Sequence, residues 1–189
     1  MSQLALSART TPESGCYCQM SFLSRLFDPP LPPLMALWNW VTATARQPRW
    51  YADHAVADNI DGRFDMVALV TSLVMLEMEK RGMLAETSLL TERFAADMDG
   101  SLRALGISDM VMGKHMGRVV GALGGRVGAY RTALATTAPP TQLAETLARN
   151  VYRGGATPEV AEKLAAEVRA LAQHIAAASD TALLEGTIA

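Results

Sequence analysis

Two cysteines, three histidines and an aromatic content of 6% leave this chain of 189 residues poor in the side chains that carry most site chemistry. Cys16 and Cys18 stand one residue apart, too close for an ordinary disulfide and too few for a zinc site, so the chain reads as one that works in a reducing compartment. His54, His115 and His174 are scattered, without a His-Glu-x-x-His spacing, and no metal site is expected. Asp97-x-Asp99-Gly100 begins like a calcium loop, but its glycine comes too early and no glutamate closes it. There is no glycine-rich phosphate loop after a strand and no Gly-x-Ser-x-Gly elbow. With no nucleophile, base and orienting group at informative spacing, the chain reads as a non-enzyme without a cofactor.

Charge of one sign is also missing, since the formal net charge is only -2. Nothing in that balance demands a nucleic acid or an acidic membrane as partner, and DNA is not expected. Locally the picture differs: Arg103, Lys114, Arg118, Arg126 and Arg131 face Asp109 alone between residues 100 and 135. Long hydrophobic runs are absent too. The longest, Met66 to Leu76, includes Thr71 and Ser72 and falls well short of the roughly 20 residues a membrane span needs. The start lacks the basic residues, apolar stretch and cleavage site of a secretory signal.

What is present is helical periodicity. Half of the residues are hydrophobic, enough for one core, and no stretch reads as a strand ladder or an internal repeat. An all-α, single-domain bundle of about six helices follows, with three parts expected. Residues 1–33 form a disordered segment containing a short amphipathic helix (Phe22, Leu23, Leu26, Phe27) and a stiff proline linker from Asp28 to Pro33. Residues 34–178 form the helical domain, and 179–189 a tail. Met20 reads as an alternative translation start, and the short helix as a body contact or a membrane-surface foot.

Within the domain, Leu34, Leu37, Trp38, Val41 and Ala45 recur at helical spacing until Pro48 stops them. Asp61 is the expected N-cap of a helix to about Arg81 that is apolar around nearly its whole circumference, leaving a polar strip of Asp65, Ser72 and Glu79. Such a helix belongs at the centre, and Gly82 ends it. The next helix, about Thr87 to Leu105, buries Leu90, Phe94, Met98, Leu102 and Leu105, with Asp99–Arg103 and Arg93–Asp97 as outer pairs. Gly106 stops it in a left-handed turn, Ile107 folds back on Leu102, and Ser108 caps the following helix.

That helix, about Asp109 to Ala135, carries the stripe Met112, Met116, Val120, Leu123, Val127, Tyr130 and Leu134, with Gly113, Gly117, Gly121, Gly124 and Gly128 beside it. Each interior glycine costs about 0.5–1 kcal/mol relative to alanine, so close approach of another helix is the expected compensation. A neighbour within the bundle is the plain reading; a bound partner's helix is the alternative. A short helix on Leu143, Leu147 and Val151 ends at Gly154-Gly155. Thr157-Pro158 open a last one with the stripe Val160, Leu164, Val168, Leu171 and Ile175.

Taken together, Arg46-Gln47-Pro48 with Tyr51, Asp58, Asp61-Gly62-Arg63-Phe64-Asp65-Met66, Phe94-x-x-Asp97-Met98-Asp99, Ser101-Leu102-Arg103, Leu105-Gly106-Ile107, Gly113-Lys114, Gly125-Arg126, Ala129-Tyr130 and Asn150-Val151-Tyr152 form an ordered pattern. In that pattern the chain resembles the ubiquinol-cytochrome c chaperone family, assembly factors for cytochrome b of the bc1 complex. The resemblance runs from about Ala45 to Tyr152, departing at Val70, Gly100 and Gly124. It implies an all-helical protein without catalytic residues that holds newly made cytochrome b, or another bc1 subunit, with the ribosome exit region as a further partner. The excess of arginine over lysine and the abundant alanine point to a GC-rich bacterial gene, hence a cytoplasmic protein with peripheral contact at the inner membrane.

The expected client-binding residues are Lys114, Arg118, Arg126 and Tyr130 on the glycine-bearing helix, with Asp97, Asp99 and Arg103 on the one before it. Surface pairing is the simpler reading of Asp97, Asp99 and Arg103. The competing function is a ribosome- or nucleic-acid-binding helical module that uses the local excess of positive charge.

Overall fold

The computed structural model describes residues 34–104, 106 and 109–188. The expectations for residues 1–33, Leu105, Ile107 and Ser108 lie outside them. The described residues form eight helices and no strand: α1 Met35–Ala45, α2 Pro48–Ala52, α3 Ile60–Lys80, α4 Leu84–Ala104, α5 Asp109–Ala133, α6 Gln142–Asn150, α7 Pro158–Ala177 and α8 Asp180–Glu185. Six are nine residues or longer, which is the all-α bundle that the periodicity predicts.

α3 is the axis of the bundle. Every residue from Asp65 to Met78 is buried, and α1, α4, α5 and α7 all pack on it. Of its polar strip, Asp65 and Ser72 are therefore buried, and only Glu79 is half-exposed. Thr71 and Ser72 return their hydroxyls to the carbonyls of Val67 and Ala68, at 2.7 and 2.6 Å, which removes the cost of burying them. Asp65 finds partners on other elements, described below.

The helix starts two residues earlier than expected. Asn59, not Asp61, is the N-cap, its Oδ1 accepting from Gly62 N at 2.8 Å, and Asp61 sits in the first turn. Gly62 is required for a different reason: an added Cβ would collide with the carbonyl of Ala57. At the other end Gly82, at φ +76°, closes α3 as expected, with Met83 N–H reaching back to Met78 O at 2.9 Å.

Pro48 ends α1 by opening α2 at its first helical position, where a missing N–H costs nothing. Trp50, wholly buried, donates its indole N–H to Thr44 O at 2.7 Å, and Tyr51 donates its hydroxyl to Ala45 O at 2.9 Å. Two orphan carbonyls at the end of α1 are thereby satisfied. Trp38 meets Phe94 edge-on at 6.2 Å and Phe64 lies 6.1 Å from the same ring, joining α1, α3 and α4. In α4, Leu90 and Phe94 are buried, whereas Met98 and Leu102 are only half-buried.

Residues 179–188 are part of this body rather than a tail. Ser179 caps α8, Leu183 and Ile188 are buried, and Trp40 Nε1 donates to Ile188 O at 3.3 Å. Four apolar residues, Ala182, Leu183, Leu184 and Ile188, give no helical period to read in so short a segment, yet they suffice to dock a helix held by its neighbours.

Candidate functional site

The glycine-bearing helix α5 has two unlike sides. Met112, Leu123, Val127 and Tyr130 of the expected stripe are buried, while Met116 and Leu134 are half-buried and Val120 is exposed. On the other side, Gly113, Gly117, Gly121, Gly124 and Gly125 are exposed, and Gly128 is half-buried. A Cβ added to any of these six would meet nothing within 4 Å. The expected neighbour within the bundle is therefore absent among the described residues, and the glycines form a bare ridge on the outside. Four of them, 113, 117, 121 and 125, follow at four-residue spacing, the row along which a second helix can bring its backbone close.

Lys114 and Arg118 flank this ridge, one turn apart, exposed and without an ion-pair partner among the described residues. The remaining basic residues of the region are engaged. Arg103 Nε donates to Asp99 at 2.7 Å within α4, Arg131 Nη2 to Glu79 at 2.5 Å, and Arg126 to Asp65. Asp97 pairs with neither Arg93 nor any other described cation. The seven expected contact residues thus do not share one surface. Lys114 and Arg118 lie on the ridge side, Asp97, Asp99 and Arg103 on α4, and Arg126 and Tyr130 point inward.

The inward pair belongs to a polar knot that gathers much of the sequence pattern. Asp65, wholly buried on α3, accepts from Arg126 Nη2 at 2.5 Å through Oδ1 and from Arg153 Nε at 3.1 Å through Oδ2. Arg153, after α6, also reaches Asp61 at 2.8 Å. Burial pushes the Asp65 carboxyl above its ordinary range, opposed by the hydrogen bonds and charges of the two guanidiniums. Arg153 is held above its ordinary value, first by its bond to Asp65. The Arg126 guanidinium lies over the Phe64 ring at 5.3 Å. One turn on, Tyr130 is wholly buried; its hydroxyl has Asn150 near it but outside bonding geometry, and burial raises its pKa. Tyr152 donates to His54 O at 2.5 Å and is pushed up to about 12 by burial.

Arg153 was not singled out from sequence, and its partner Asp65 is 88 positions away. The available signal was Asp65 itself, one carboxylate on an otherwise apolar circumference, which has to find a cation. A cleft of about 240 Å³ opens beside the knot, lined by Asn59, Asp61, Asp65, Tyr152 and Arg153 among others. Its charges are already paired with each other. Among the described residues no three His, Cys, Asp or Glu side chains are placed to hold a metal, and no helix is long and apolar enough to cross a membrane.

Comparison with known proteins agrees with this architecture. No curated protein matches the sequence. The crystal structure of the Cbp3 homolog from Brucella abortus superposes with a TM-score of 0.73 at 30% identity, covering 88% of this chain and 93% of that one. The family model described as ubiquinol-cytochrome C chaperone matches residues 52–189, extending the resemblance through the knot, α7 and α8. The chain belongs to the ubiquinol-cytochrome c chaperone family.

Proposed function

We propose that this chaperone is a non-enzymatic assembly factor that binds newly made cytochrome b, at the inner membrane of a bacterium, before the bc1 complex is complete. The observation that carries the reading is the bare glycine ridge of α5, flanked by Val120, Lys114 and Arg118. Glycine in a helix interior is destabilising, and nothing inside the described bundle offsets it. A client rich in apolar helices supplies the missing contact, because small residues let two backbones approach and gain dispersion over a long row. Lys114 and Arg118 then meet phosphates or acidic residues at the edge of such a client. Arg126 and Tyr130 support this face from within, and the α4 residues Asp97, Asp99 and Arg103 take no part in the first contact.

The test is a pull-down of the tagged protein from detergent-solubilised membranes of its host, probed for cytochrome b. Gly117→Leu and the double variant Lys114→Glu/Arg118→Glu should each lower recovery while leaving helicity intact. Recovery equal to that of the unaltered protein from both variants removes this face from the model.

The ribosome- or nucleic-acid-binding reading loses its main support to the ion pairs. Of the five basic residues that motivate it, three are engaged with carboxylates. Two neighbouring cations make a weak phosphate track.

A further inference from the structure

Helix α5 is short of the side chains that normally fix a helix's rotation about its own axis. Six of its residues between 113 and 128 are glycine, and among its described side chains the buried apolar anchors are Met112, Leu123, Val127, Tyr130 and Ala133. A polar contact of defined geometry can supply what a thin apolar stripe does not. Fixing register is the best-attested use of a buried ion pair, whose net contribution to stability is often small.

We infer that the Asp65 carboxylate is a rotational lock on α5, a positioning residue that keeps the glycine ridge turned outward for a client. The inference rests on the reading of that ridge as the docking face. The geometry is direct. Asp65 is wholly buried on the central helix, and each of its oxygens takes one guanidinium, Oδ1 that of Arg126 and Oδ2 that of Arg153. At about 100° per residue, Arg126 projects from α5 on the side about 180° from Gly117. Its guanidinium is confined on the other faces by the Phe64 ring at 5.3 Å and by the Ala122 carbonyl, to which Nη1 donates at 3.3 Å. Turning α5 by one residue withdraws Arg126 from Asp65 and rolls part of the ridge into the bundle. It leaves Oδ1 of the wholly buried carboxylate without its donor, a desolvation penalty that opposes the turn. Arg153 holds Asp65 from the opposite side and pairs with Asp61, so the carboxylate cannot follow a rotating α5.

The experiment uses the full chain with Cys16 and Cys18 changed to serine and one cysteine introduced at either Gly121→Cys or Val127→Cys, each with Asp65 or with Asp65→Asn. The rate of reaction with a small water-soluble thiol reagent reports which side of α5 faces solvent. With Asp65 in place the cysteine at 121 reacts much faster than the one at 127. Asp65→Asn should reduce that ratio at least about tenfold, by slowing 121 and speeding 127, at unchanged helicity. A role in stability alone speeds reaction at both positions and leaves no slowing at 121. A ratio that stays within about twofold overturns the lock, as does a rise at both positions. If Asp65→Asn does not fold, Arg126→Lys keeps the charge but loses the fork, and the same two ratios decide. The two readings fail separately. An unchanged ratio alongside lost cytochrome b capture by Gly117→Leu removes the lock and keeps the docking face. A collapsed ratio alongside normal capture by Gly117→Leu keeps the lock and removes the docking face.

Discussion

Arg81, the C-cap of the central helix, also caps another helix: its Nη1 donates to the Ala178 carbonyl, the C-cap of α7, at 2.9 Å. The same guanidinium reaches the carbonyls of Ile175 and Ala176 through Nη2, and Glu77 and Asp180 through Nε and Nη1. One side chain thus satisfies orphan carbonyls at the end of α7, neutralises the mostly buried Glu77 and fixes the start of α8. Arg81→Ala leaves Glu77 Oε1 and the carbonyls of Ala176 and Ala178 without this donor. It should lower stability by about 3 kcal/mol, a fall of about 6–12 °C in Tm for a chain of this size. Thermal unfolding followed by circular dichroism checks this; a change under about 2 °C means that water replaces the guanidinium at little cost.

Two glycines separate packing from propensity. Gly62 sits where a Cβ would strike the Ala57 carbonyl, and Gly186 where it would come within 2.5 Å of the Ala36 carbonyl at φ +63°. Alanine at either position forces backbone apart and should cost about 3 kcal/mol, through overpacking and, at Gly186, left-handed strain as well. Denaturant titration measures it, and a loss under about 1 kcal/mol means that the loop at Ala57 or the start of α1 yields freely.

How far the sequence could be read depended on whether the partner of each residue was local. The apolar circumference of α3, Gly82 as its stop and the Asp99–Arg103 pair one turn apart were legible because each is a short-range pattern. Asn59 was passed over as a cap because Asp61 is an equally good capping residue two positions on. The packing of Leu183 and Ile188 had no periodicity to announce it. Arg126 looked like part of a basic surface since its carboxylate is 61 residues away. Tyr130 carried its own warning, standing in the apolar stripe of α5 as well as among the proposed contacts. The exposed ridge was the least legible feature: glycines at helical spacing look the same whether a neighbour covers them or not.

Tyr130, wholly buried, and Tyr152, half-buried, give a pH dependence at the alkaline end. Tyr152 is raised to about 12 and Tyr130 is raised as well, both by burial, against an ordinary value near 10. Where the folded state holds a proton more tightly than the unfolded chain, the associated stability is complete below the unfolded pKa. It is lost as pH rises through the window from about 10 toward the folded values. Unfolding should therefore set in above about pH 10 and steepen toward 12, with phenolate absorbance from these residues appearing together with loss of helicity. Tyr152→Phe should remove part of that steepening. Full phenolate formation near pH 10 in a protein that keeps its helicity contradicts the burial of both hydroxyls.

Binding to single-stranded RNA offers a direct comparison with the competing function. Among the described residues, Lys114 and Arg118 are the basic side chains of this region without carboxylate partners. Two phosphate contacts give a slope of about −1.4 in log K against log salt on a single strand. A filter-binding titration that returns a slope steeper than about −4 requires cations from beyond this face and moves the nucleic-acid reading ahead.

The ridge itself makes a prediction in which stability and function move in opposite directions. Gly117 and Gly121 have open space where a Cβ would go, so alanine there adds helix propensity without a clash. Gly117→Ala and Gly121→Ala should each raise stability by about 0.5–1 kcal/mol. An added methyl group still keeps a docking helix further away, and a leucine much further, so cytochrome b capture should fall in the order glycine, alanine, leucine. Denaturant titration and pull-down on the same set of variants measure both trends. Stability that rises with no loss of capture through the leucine variant would make the glycines a property of the free helix alone; falling capture from a more stable protein points to close approach by a client.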